Sequence, residues 1–179
     1  VKQVHALGRN VAQVLAGRVV EKLARQALQD LVAMRKKEGA LLATDLLGHL
    51  TTLRQQANQI KTVTPTVARE AFERMKTRVG KLLNMEIPDL PKLHQELAVY
   101  ADRSDITEEL VRLDAHMIQF QETLHSTDSV GKPLDFLLQE MGREVNTVGA
   151  KANHMTITSS VVHMKTEIER LREQIQNVE

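Results

Sequence analysis

Leu134, Leu137, Leu138, Met141, Val145 and Val148 recur at i, i+3, i+4, i+7, i+11 and i+14. That spacing is one face of an amphipathic helix. The same period runs through most of the chain. Val20, Leu23, Ala27, Leu31 and Met34 line one side of a first helix, from about Val11 to Lys37. Leu42, Leu46, Leu50, Leu53 and Ile60 line a second, long and projecting helix from about Leu41 to Lys61. Gly39 predicts an interruption or kink between the two. Pro65 predicts a break, because it pushes Thr64 out of the α region. Thr64 then caps, and Pro65 opens, a third helix reaching about Leu83.

The stretch NMEIPDLPK holds two of the four prolines and predicts a hinge. A short helix follows over PKLHQELAVYADRSD. DITE is a capping box, with Asp105 as N-cap and Glu108 three residues on. It starts a helix that buries Ile106, Leu110, Leu113, Met117, Phe120 and Leu124. STDSVGKP is a loop into the helix of Leu134, and NHMTITSS ends or bends that helix. Val161, Met164, Ile168, Leu171, Ile175 and Val178, spaced 3, 4, 3, 4, 3, form a heptad seam. Such a seam pairs with another helix of the same or another subunit. The pattern predicts an all-α fold in which long antiparallel helices lead into a compact C-terminal helical bundle. Its two regions are residues 1–86 and 92–179.

Composition agrees. Only 2% of residues are aromatic, and the strong helix formers dominate, which excludes a β-sandwich or small barrel. At 179 residues, 42% hydrophobic and 26% charged, the chain fits one or two globular domains. The absence of cysteine excludes a disulfide framework, a thiolate zinc site and a cysteine nucleophile, and it fits a reducing, cytoplasmic setting. No apolar run approaches the roughly 20 residues of a membrane span, and no secretory signal is visible, so no membrane partner is expected. The chain begins at Val1 without methionine and reads as lacking its true N-terminus. A net charge of +1 leaves any basic site to local placement.

Two helices carry polar rows beside their apolar stripes. Plotted at 100° per residue, Glu140, Glu144, Thr147 and Lys151 form one row, and Arg143 lies on the far side between Gln139 and Asn146. On the preceding helix Glu109, Arg112 and His116 stand at i, i+3 and i+7. An ordinary wet surface explains most of this, with Glu140, Arg143 and Glu144 as a helix ion-pair cluster. Asn146 and Thr147, however, are poor choices for a merely solvated helix interior. Phe136 falls on the polar side, where an isolated aromatic points to an interface or a stacking partner. Two such rows could bring Glu, Arg and His into one groove. His5, His49, His94, His125, His154 and His163 show no zinc-ligand spacing. No Walker loop, Rossmann glycine pattern or GxSxG is present, so no nucleotide cofactor is expected.

DITEELVRL, His116 and the QF after it, GKPLDFLLQEM, REVNT, Lys151 and the terminal REQIQNVE together resemble the C-terminal part of the YicC/YloC family of bacterial proteins. MRKKEG, ending at Gly39, is similar to that family's middle helical segment. The resemblance covers essentially the whole chain. It implies a divalent-metal-dependent endoribonuclease that assembles into hexameric rings and carries a further N-terminal domain, absent here. Gly142 departs from the family's usual asparagine; it weakens a helix by about 0.5–1 kcal/mol and leaves the carboxylates intact.

Spacing and resemblance together assign expected roles. Glu140 and Glu144, one turn apart, hold Mn²⁺ or Mg²⁺ with Glu109 from the neighbouring helix. These three, with His116 as general acid or base, are the expected catalytic groups. Arg112, Lys132, Arg143, Asn146, Lys151 and Arg172 contact RNA, and Phe136 stacks on an unpaired base. The alternative is a non-catalytic helical oligomerisation or RNA-binding module, in which the same rows are structural salt bridges.

Overall fold

The computed structural model of the protein describes residues 2–83, 91–126, 128–152, 154–176 and 178. Every regular element among them is helical: α1 Lys2–Leu83, α2 Pro91–Ser104, α3 Thr107–Leu124, α4 Gly131–Lys151 and α5 Met155–Ile175. The all-α expectation holds. None of these helices is long and apolar enough to cross a membrane. The chain groups into two compact units, residues 1–44 and 45–179. The predicted hinge lies at residues 84–90, outside the described residues, and Pro91 opens α2.

The expected breaks at Gly39 and Pro65 do not occur, and α1 is continuous. A glycine in a helix interior costs about 0.5–1 kcal/mol, too little to stop a segment flanked by Lys, Glu, Ala and Leu. Pro65 costs about 3 kcal/mol, but the helix is anchored by packing before it and by one polar contact beyond it. Leu46, Leu50, Leu53, Ala57 and Ile60 are buried before it, and Glu70 beyond it reaches His154. Thr64 does not cap a new helix: its hydroxyl donates back to the Ile60 carbonyl at 2.8 Å, while Thr62 and Thr66 donate to Gln59 and Val63.

In the first unit, the apolar stripe is present but unpacked. All side chains from residue 16 to 41 are exposed, including Val20, Leu23, Leu31 and Met34. In the second unit, the stretch expected to project instead carries part of the core. The buried positions 46, 50, 53, 57 and 60 repeat at four and three residues, which is itself a seam. Its partner is α5. His49 meets Glu167, Gln56 and Gln59 share a cleft with Met155, Thr156, Ser159, Ser160 and His163, and Glu70 meets His154. Numbers rise on α1 as they fall on α5, so the two run antiparallel. Val161, Met164, Ile168, Leu171 and Ile175 are all buried within the chain. The seam is therefore used internally and is not free for another subunit.

α4 lies between α3 and α5 and contacts both. Leu134, Leu137, Leu138, Met141, Val145 and Val148 are buried as the period predicts. Two glycines permit the approach to the last helix. A Cβ on Gly149 would lie 3.1 Å from Val161 Cγ1, and one on Gly131 would lie 2.7 Å from the Val178 carbonyl oxygen. At the start of α3 the capping box is only half formed. Asp105 accepts the Thr107 N–H at 2.9 Å, but Glu108 pairs with Arg112 instead of turning back.

The glycines therefore respond oppositely to one substitution. Nothing lies within 4 Å of a Cβ on Gly142, so Gly142→Ala is expected to stabilise by about 0.5–1 kcal/mol. Gly131→Ala is expected to destabilise by about 1–3 kcal/mol, because backbone must move. Urea unfolding of both variants against the parent checks the two signs.

Candidate functional site

The antiparallel pairing of α3 and α4 assembles a polar cluster from residues more than thirty positions apart. Lys151, in the last turn of α4, donates to Glu109 Oε1 at 2.7 Å and to the Asp105 carbonyl at 3.0 Å. One turn along α3, Arg112 Nε lies 3.0 Å from Glu144 Oε1 of α4 and its NH1 3.0 Å from Glu108. Glu109 is the most enclosed member, its side chain only 4% exposed. The pairing of 109 with 151 and of 112 with 144 sets the two helices antiparallel, and His116 lies half-buried one turn beyond Arg112 on α3. Glu140 is half-buried and pairs with Arg143 on its own helix.

Charge placement sets the carboxylates. Burial alone would raise the Glu109 carboxyl, yet the Lys151 hydrogen bond and charge, with Arg112 behind them, hold it below the ordinary glutamate value. Hydrogen bonds from Thr107, helped by Lys151, hold Asp105 below the ordinary aspartate value. Counting Asp105, Glu108, Glu109, Glu140 and Glu144 against Arg112, Arg143 and Lys151, five acids face three bases, a local charge of −2.

Of the residues expected to share a site, Glu109, Arg112, Glu144 and Lys151 are joined by ion pairs across α3 and α4, whereas Glu140 pairs within its own helix and His116 is half-buried on α3. The cations are engaged differently from expectation: Arg112 and Lys151 hold carboxylates. Other expected contacts are spread out. Lys132, Asn146 and Phe136 are exposed on α4, and Arg172 pairs with Glu169 on α5, away from the cluster. Among the described residues no three His, Asp or Glu side chains come together as a metal cage. Glu109 Oε2, however, is buried and has no hydrogen-bond partner. It is a carboxylate oxygen with capacity for one more positive group.

One half-buried pair lies outside the expected site. His49 Nδ1 lies 2.6 Å from Glu167 Oε2, with Asp45 3.6 Å from Nε2 and Arg170 on the other carboxylate oxygen of Glu167. These residues join α1 to α5 across 118 positions. Only a prior pairing of the two seams could have indicated it.

Residues 60–179 match the family described as "Endoribonuclease YicC-like, C-terminal", and the chain belongs to that family. It is 40% identical over 162 residues to the probable endoribonuclease YicC of Clostridioides difficile, covering 90% of this chain and 55% of that protein. It is 36% identical over 153 residues to the probable endoribonuclease YicC of Haemophilus influenzae, covering 85% and 52%. The chain spans about half the length of these relatives.

Lys151→Met is expected to destabilise the protein by about 1–3 kcal/mol at pH 7, because it leaves a buried carboxylate without its partner. In the parent, the lowered pKa of Glu109 contributes stability above the unfolded value, about 4.3, and this is lost as pH falls through the lowered folded value. In the variant, burial acts with less opposition and raises the group, a penalty relieved on acidification. The gap between the two proteins should narrow below about pH 4. Unfolding curves from pH 7 to pH 3 measure it.

Proposed function

We propose that this member of the YicC-like family is the C-terminal helical part of a cytoplasmic, divalent-metal-dependent endoribonuclease, and that the α3–α4 groove is where the phosphodiester is cut. The observation that supports the site is the buried Glu109 carboxylate, held ionised by Lys151 with its second oxygen free of partners. The names of the relatives support the reaction.

Phosphodiester cleavage needs charge neutralisation at the phosphate, an activated nucleophile and a proton for the leaving oxygen. Mn²⁺ or Mg²⁺ would take one or two carboxylates here and keep waters or phosphate oxygens as further ligands. Glu109 and Glu144 would hold the ion, with Glu140 on the adjoining turn, and it would supply neutralisation at the phosphate. Lys151 and Arg112 orient the Glu109 and Glu144 carboxylates, and Lys151 keeps Glu109 ionised. His116 would move a proton at a ribose or leaving oxygen. Phe136, 59% exposed on α4, offers a face to an unpaired base.

The assembly belongs to the same reading. A homo-oligomer, six copies by family resemblance, would cover the exposed stripe from Val19 to Leu41. A second reading is favoured by one observation: Arg112, Arg143 and Lys151 each meet a carboxylate, as in a structural buckle. The groove would then hold helices together, and the protein would bind RNA or assemble without cutting.

Cleavage of a fluorogenic single-stranded RNA separates the two. The purified protein should cut it with Mn²⁺ or Mg²⁺ and stop when EDTA is added. Glu144→Gln and Glu140→Gln should each lower the rate about 100-fold or more with unchanged helicity, since shape is kept and the charge a hard cation requires is lost. Cleavage indifferent to EDTA, or full activity in both variants, would refute the metal assignment. An RNA shift with no cleavage under any metal would establish the second reading.

A further inference from the structure

Away from the groove, positive charge is concentrated on α1. Between positions 69 and 81 the chain carries Arg69, Arg74, Lys76, Arg78 and Lys81 against Glu70 and Glu73. Five minus two is +3, in a chain whose net charge is +1. At 100° per residue, Arg74, Arg78 and Lys81 fall within roughly 60° of one another, while Arg69 and Lys76 lie on the opposite face. Arg74, Thr77, Arg78 and Lys81 line a cleft of about 400 Å³, with Glu73 also in its lining. Arg74 reaches Glu70 at 3.4 Å; among the described residues Arg78 and Lys81 meet no carboxylate.

Position gives this row a meaning beyond a solvated face. Glu70, one turn before Arg74, also lies 3.7 Å from His154 Nε2. His154 follows Lys151 by three residues, and Lys151 holds Glu109 at 2.7 Å. The row therefore begins one turn beyond the point where α1 meets the α4–α5 connection. That connection is the end of the bundle that carries the Glu109 carboxylate. The groove has a local charge of −2, so a polyanion entering it needs cations placed outside it.

We propose that Arg74, Arg78 and Lys81 form a track for the phosphodiester backbone of single-stranded RNA leading toward Glu109. The choice of RNA as the polyanion rests on the ribonuclease reading. The three cations rise about 6 Å and then about 4.5 Å along the helix axis, a row that follows a strand and reads no base.

The test is fluorescence anisotropy with a labelled 20-nucleotide oligouridylate in EDTA, so that binding is read without cleavage. Arg78→Gln/Lys81→Gln should raise Kd about tenfold. It should also make the slope of log K against log salt shallower by about 1.4, since each single-strand phosphate contact contributes about 0.7. Arg69→Gln/Lys76→Gln removes the same charge from the opposite face and should leave the slope unchanged. Glutamine keeps helix propensity at these exposed sites, and circular dichroism confirms that both variants fold. Equal weakening by the two pairs would mean that net charge alone binds, and would overturn the track. So would failure of the parent to bind, or displacement of the RNA by polyglutamate at equal charge concentration, which would mark a surface for an acidic protein. Undiminished binding by Arg78→Gln/Lys81→Gln beside metal-dependent cleavage would overturn the track and leave the ribonuclease reading standing. Binding that follows the row in a protein that never cuts RNA would support the track and refute that reading.

Discussion

The hydrogen bond from Lys151 to Glu109 fixes the relation between the two helices that carry the candidate chemistry. A carboxylate as enclosed as Glu109 is strongly disfavoured unless a cation accompanies it. The cation comes from the last turn of α4, where positive charge also suits the carbonyl end of a helix. Because the same ammonium holds the Asp105 carbonyl, the entry to α3 is tied to the exit of α4. The antiparallel register then follows. Arg112 meets Glu144 one turn further on.

α4 can hold this register because it is packed on two sides. Its apolar face is buried from Leu134 to Val148, and glycines at 131 and 149 let the chain beyond α4 come close at both its ends. The core is almost wholly aliphatic, with Phe120 as its large aromatic member. Side chains of this kind interdigitate closely and leave little freedom to slide. The polar cluster therefore sits on a rigid pair of helices, the setting in which partners can be held at fixed distance.

Charge is divided between two places in the second unit. The α3–α4 groove is negative and the row on α1 from Arg74 to Lys81 is positive, while the chain as a whole is nearly neutral. In the proposed ribonuclease, such a division would separate attraction of a polyanion from the chemistry applied to it. Cations inside the cluster pair with its carboxylates; under the proposal, cations outside it would meet an incoming strand. The half-buried His49–Glu167 pair serves neither purpose directly and fastens α1, and with it the basic row, to α5.

The sequence by itself determined the helices and their inward faces. Periodicity is a local property, and every apolar position named on the helix of Leu134 is buried in α4. It also placed Glu109, Arg112, Glu140, Glu144 and Lys151 at the edges of their stripes, since row membership follows from 3.6 residues per turn. What covers a stripe is not local. The same period is exposed from Val19 to Leu41 and buried from Leu46 to Ile60 within one helix, and the terminal seam found its partner in its own chain. Pro65 did not break α1 despite a local cost of about 3 kcal/mol; the buried positions from Leu46 to Ile60 anchor the helix before it. Whether Lys151 and Arg112 face solvent, phosphate or carboxylate depended on bringing residues 109 and 151, or 112 and 144, to within 3 Å. Only the tertiary structure decided that, because burial of a charge is settled by what the fold packs against it.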